Sequence, residues 1–189
     1  MLYHASNTGG LQLLMPRVSN HGQPLVYLSA KRENVLVYLS NAVERHCREN
    51  GFEWHGPWHK WASYGFTKEG LLQLEEYYPN ALIETYQGIS GYIYHAENVP
   101  FVFPQKDIRD AFISEKPVQV AGCEWIPDAL EALLLAREQN KLIIKPFEEM
   151  STATREWLAK VIPAEYAKSA DHPEYCFFLQ SKFSSFLPG

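Results

Sequence analysis

Cysteine is scarce in this chain of 189 residues, and long apolar runs, a surplus of basic charge and glycine-rich phosphate loops are missing. The three cysteines, Cys47, Cys123 and Cys176, are too few and too unevenly spaced for a disulfide framework or a paired zinc knuckle. They are expected to be free thiols, buried or half-buried, in a reducing compartment. No apolar stretch approaches the length of a membrane span, and MLYHASNTGG carries neither a basic n-region nor an apolar h-region, which predicts a cytoplasmic protein with no membrane partner. Seventeen Lys and Arg face twenty-two Asp and Glu, for a net charge of -5. With the acids scattered, an extended nucleic-acid-binding face is not expected, while a local basic pocket stays open. No Ser-His-Asp order, P-loop, dinucleotide glycine fingerprint, internal repeat or low-complexity tract is present.

What the chain does have is apolar material: 46% hydrophobic and 14% aromatic residues are enough for a sizeable core. Length and the lack of linker-like composition predict a single domain over 1–189. Leu2 to Ala5 and Leu25 to Leu28 are short apolar runs bounded by turn formers and predict strands. Gly10 to Pro16 suits a short helix and a strand edge equally. From Arg32 to Arg48, Val35, Tyr38, Leu39, Ala42, Val43 and His46 recur at three- and four-residue steps, which predicts one amphipathic helix started by Ser29 and stopped by Asn50-Gly51. A short helix is expected over Leu71 to Tyr77. Strands are expected at Tyr92 to His95, Val118 to Ile126 and Lys141 to Lys145, and a strand or extended loop at Pro100 to Pro104. Further helices are expected from Asp128 to Asn140, from Ser151 or Thr152 to about Lys168, and from Asp171-His172-Pro173 onward, giving a helical C-terminal part over 151–189. Strands interspersed with helices in this way predict an α+β fold.

Two constellations carry candidate chemistry. In a strand, residues two apart share a face, so His4 shares one with Ser6 and Tyr27 shares one with Ser29, while Tyr38 lies on the helix that follows. The second is the loop 52–66, FEWHGPWHKWASYGF. His55 and His59 have the spacing of a helical metal pair, but Gly56-Pro57 breaks the turn between them, so no metal site is expected. Trp54, Trp58, Trp61, Tyr64 and Phe66 either form a recognition surface or lid, or fold over the core. The run Glu69, Glu75, Glu76 and Glu84 reads as a solvated helix face.

Leu2-Tyr3-His4-Ala5-Ser6, the strand end Val26-Tyr27-Leu28-Ser29 leading into a helix, and Tyr27 and Tyr38 with ten residues between them resemble the ADP-ribosyltransferase-like fold. The branch is the one defined by a His, a Tyr and a Glu, which includes diphtheria toxin, poly(ADP-ribose) polymerases and rifampicin ADP-ribosyltransferases, and the whole chain looks like a bacterial family of this type. The resemblance covers roughly the first fifty residues, and the region around Glu124 loosely. It implies a split mixed β-sheet with flanking helices and NAD as substrate. His4 would hydrogen-bond the ribose hydroxyls with help from Ser6, Tyr27 and Tyr38 would stack on the nicotinamide ring, and Ser29 would support the pocket. The catalytic anion of transfer would be Glu124, in Val120 to Pro127, with Asp128 as the second candidate. The acceptor of ADP-ribose, whether protein, nucleic acid or small molecule, is not specified. The other reading of the same fold is a non-catalytic module that binds a nucleotide or a partner.

Overall fold

The computed structural model describes residues 1–18, 22–56, 63–106 and 108–187. In chain order the elements are β1 (Leu2–Ser6), β2 (Leu13–Leu14), β3 (Arg17–Val18), β4 (Pro24–Ser29), a 3-10 helix (Glu33–Tyr38), α1 (Ala42–Glu49), β5 (Tyr64–Phe66), β6 (Leu72–Glu75), α2 (Ala81–Tyr86) and β7 (Gly91–Ala96). They continue with β8 (Phe103–Pro104), β9 (Ala111–Ser114), β10 (Val118–Gln119), β11 (Gly122–Ile126), α3 (Ala129–Glu138), β12 (Leu142–Lys145), α4 (Thr152–Lys168) and α5 (Pro173–Phe183). The fold is α+β. It divides into two compact units interleaved in sequence, one built from 1–39, 64–73 and 87–143, the other from 40–63, 74–86 and 144–189. Neither is a contiguous domain.

The first unit holds a seven-stranded sheet in the order β11-β7-β1-β4-β9-β8, with β3 also paired to β4. Where the resemblance implies a mixed sheet, every pairing in this one is antiparallel. The chain between sheet neighbours returns each strand against its partner, so no parallel crossover is made. One face is covered by the two-stranded sheet β10-β2, whose Val118 and Leu14 join Val26, Leu28, Tyr94 and Ala96 in a buried cluster. The 3-10 helix packs against β1, β4 and α3.

The single helix expected over 32–48 is two elements. Asn34, Val35, Leu36 and Val37 are buried in succession, so the first segment has no amphipathic stripe, and two of the four are β-branched. The chain leaves helical geometry at Leu39, with φ -83° and ψ 64°, before α1 begins. Gly51 supplies the left-handed stop at φ +63°. Residues 72–75, expected as helix, form a strand: Leu72 and Leu74 are buried while Gln73 and Glu75 are half-buried, the period-two signature.

The second unit is helical around Ala42, Val43, Cys47, Tyr78, Ala81, Leu158, Ile162, Tyr175, Phe178, Leu179 and Phe183. Ser151 caps α4 by accepting from the Thr154 N–H, and Pro173 opens α5. Glu76, expected on a solvated face, instead accepts from the Leu82 N–H at 2.7 Å and the Phe147 N–H at 3.2 Å, tying the first turn of α2 to the chain after β12. Among the described residues no helix is long and apolar enough to cross a membrane.

Candidate functional site

The central seam of the large sheet is where β1 meets β4, and their register rests on one pair, Tyr3 with Ser29. The neighbouring seams are longer: β1 pairs with β7 from Leu2–Ala96 through Ser6–Tyr92, and β4 pairs with β9 from Val26–Ser114 through Ser29–Ala111. Just past Tyr3, the Nδ1 of His4 lies 2.8 Å from the Tyr27 carbonyl oxygen. A carbonyl can only accept, so Nδ1 carries the hydrogen and the neutral ring keeps Nε2 as an acceptor. Burial pushes the His4 pKa below its ordinary value; the hydrogen bond to Tyr27 opposes that, and the charge of Arg17 on β3 adds to it. The seam therefore holds a neutral imidazole of fixed tautomer near a cationic side chain.

Register decides which candidate residues meet. Directly opposed residues share a face, and Glu124 opposes Ile93, which opposes Ala5. Glu124 thus lies on the face of Tyr3 and Ala5. Tyr3 opposes Ser29, which puts Ser29 and Tyr27 on that face too. His4 and Ser6 take the opposite face, in rows with Tyr94 and Cys123 and with Tyr92 and Trp125. The structure accordingly brings His4 together with Ser6, and Tyr27 and Ser29 onto the face of Glu124, but His4 and Glu124 stand on opposite sides of the sheet.

Each remaining candidate has a local partner. The hydroxyl of Ser6 accepts from the Thr8 N–H and that of Ser29 from the Lys31 N–H, both at 3.1 Å, so each serine closes a turn at its strand end. Ser29 is not the helix cap; that position is Arg32, which makes no capping bond with its side chain. Tyr38 ends the 3-10 helix partly exposed, with its ring edge-on to Tyr64 at 5.9 Å and the Tyr64 hydroxyl 3.2 Å from its own. Glu124 is clasped by Arg32, with Nε to Oε2 and Nη2 to Oε1 both 2.7 Å. These hydrogen bonds hold the Glu124 carboxyl below its usual range and raise Arg32. Asp128 is a helix cap: one oxygen accepts from the Leu130 and Glu131 N–H groups and the other from the Gly88 N–H.

Of the loop 52–66, Trp54 packs against the core of the second unit, Tyr64 and Phe66 lie in β5 of the first, and Trp58, His59 and Trp61 fall outside the described residues. His55 is exposed, 3.6 Å from Glu53. Cys123 is exposed, where a buried or half-buried thiol was expected, while Cys47 is buried and Cys176 intermediate. Arg17 and Arg32 are the residues sequence reasoning missed. Nothing in their local pattern marks them, because what they touch lies on other strands. No protein-family model, no curated protein and no solved structure matches the chain.

Proposed function

We propose that the first unit binds a ribose-bearing nucleotide of the NAD type at the short seam between β1 and β4. The observation that carries this reading is His4, a partly buried neutral imidazole whose Nδ1 is committed to the Tyr27 carbonyl and whose Nε2 is left to accept from a sugar hydroxyl. Arg17 supplies a nearby positive charge suited to a phosphate. Binding without transfer is the form the geometry favours, since Glu124 lies across the sheet from His4 and is occupied by Arg32. ADP-ribose transfer to an acceptor is the second reading, resting on the resemblance of residues 2–38 and requiring Glu124 to leave its partner. A cytoplasmic setting belongs to the same proposal, in keeping with three free thiols.

Thermal-shift measurement with NAD and ADP-ribose tests the binding. We expect stabilisation that grows with concentration and is lost in His4→Ala. An equal shift in that variant would sink the seam assignment. Slow nicotinamide release from NAD that disappears in Glu124→Gln would decide for an NAD-cleaving enzyme, and its absence alongside binding would decide for the module.

A further inference from the structure

The face opposite His4 carries a second polar constellation. Ser29, Tyr3, His95 and Gly122 are opposed in one row from β4 to β11, and Glu124 is two residues beyond Gly122 on the same face. A Cβ at residue 122 would lie 2.5 Å from the His95 Cε1, so glycine there is what lets the imidazole lie close over β11. Arg32, just past the end of β4, extends across this row to Glu124. Both members of the pair are reachable from solvent, with side chains 29% and 51% exposed.

We propose that this cluster is an anion site, in which the Arg32 fork binds a phosphate group of a small phosphorylated molecule and Glu124 occupies the fork when no ligand is present. A guanidinium offers two parallel N–H donors to a carboxylate or a phosphate alike, so the bidentate grip on Glu124 marks the geometry in which a phosphate would sit. Phosphate is favoured over a second carboxylate because it brings further oxygens, and Tyr3 and His95 supply O–H and N–H donors on the same face. An exposed ion pair contributes only about 0.2–1 kcal/mol, so an incoming phosphate can displace Glu124.

Titration of the full chain with inorganic pyrophosphate, followed by calorimetry or by NMR of the arginine side chains, tests this. Removing the internal competitor in Glu124→Gln should tighten binding roughly 1.4- to fivefold, the factor such a pair imposes on its competitor. Arg32→Ala should abolish binding; if that variant does not fold, Arg32→Lys should fold and still weaken binding, because a point charge loses the bidentate fork. His4→Ala should leave pyrophosphate binding unchanged, which separates this site from the seam. Unchanged affinity in Glu124→Gln, full binding in the Arg32 variants, loss in His4→Ala, or tighter binding of acetate than of pyrophosphate would each overturn the proposal.

Discussion

A histidine that must stay neutral ties the stability of its fold to pH. The folded pKa of His4 lies below its unfolded value of 6.5, so the folded state resists protonation that the unfolded chain accepts. Its contribution is fully present above the unfolded pKa and is lost as pH falls from there through the folded value. His46 is shifted the same way, by burial first and then by the charge of Lys182, and adds to the slope. We predict that urea unfolding of the wild type weakens steadily from about pH 7.5 to about pH 5, as expected for groups titrating near 6.5. His4→Asn, which keeps a donor for the Tyr27 carbonyl but cannot titrate, should flatten part of that slope, and an unaltered slope would refute the assignment. Asp128 gives a second test at this scale. With three backbone N–H groups on its carboxylate, Asp128→Ala should cost about 1–2 kcal/mol in denaturant unfolding. Its place at a helix start was readable from the sequence, whereas its bond to Gly88 was not. The same limit applies to His4 and Glu124: the sequence shows that residues two apart share a face, but which faces of different strands coincide depends on register with residues near 93.

Elements were legible wherever one segment carried its own signal. The tracts at β1, β4 and β7 have short apolar runs between turn formers, and α3, α4 and α5 begin with Asp128, Ser151 and Pro173 at the expected positions. The misreadings came where burial overrode a local pattern. Four successive residues of the 3-10 segment are buried, and the four residues of β6 alternate too briefly to stand out against a helix. Such enclosure makes a prediction at Gly91, where β7 begins. A Cβ there would lie 2.6 Å from the Leu39 Cδ2 and 3.0 Å from the Ser6 carbonyl oxygen. The leucine tip can move, but the β1 backbone cannot without disturbing the ladder that carries His4. Gly91→Ala should therefore destabilise by about 1–3 kcal/mol in chemical denaturation and weaken NAD stabilisation in parallel. Stability equal to wild type would mean the strand has more room than the structure gives it.

At the scale of the molecule, the division into two units meets a chain that passes between them at residues 39/40, 63/64, 73/74, 86/87 and 143/144. Two of these passages fall inside strands, β6 and β12, with no linker to absorb the loss of either unit. Unfolding of either unit turns its segments into loops that the other must close. Opening one releases segments whose closure entropy the other must then bear alone. The two units should accordingly form one cooperative unfolding system. Phe178, fully buried in the helical unit, allows a test at a distance from the sheet. Phe178→Ala should cost about 3–5 kcal/mol. At roughly 2–4 °C per kcal/mol for a chain of this size, Tm should fall on the order of 10 °C in a single transition. Native-state hydrogen exchange supplies the decisive readout. If unfolding is shared, amides of β7 in the first unit should lose protection by the same factor as those of α5, roughly a hundredfold or more for a change of that size. Protection lost in α5 with β7 unchanged would show that the units open independently, and that the seam at His4 persists when the helical unit has melted.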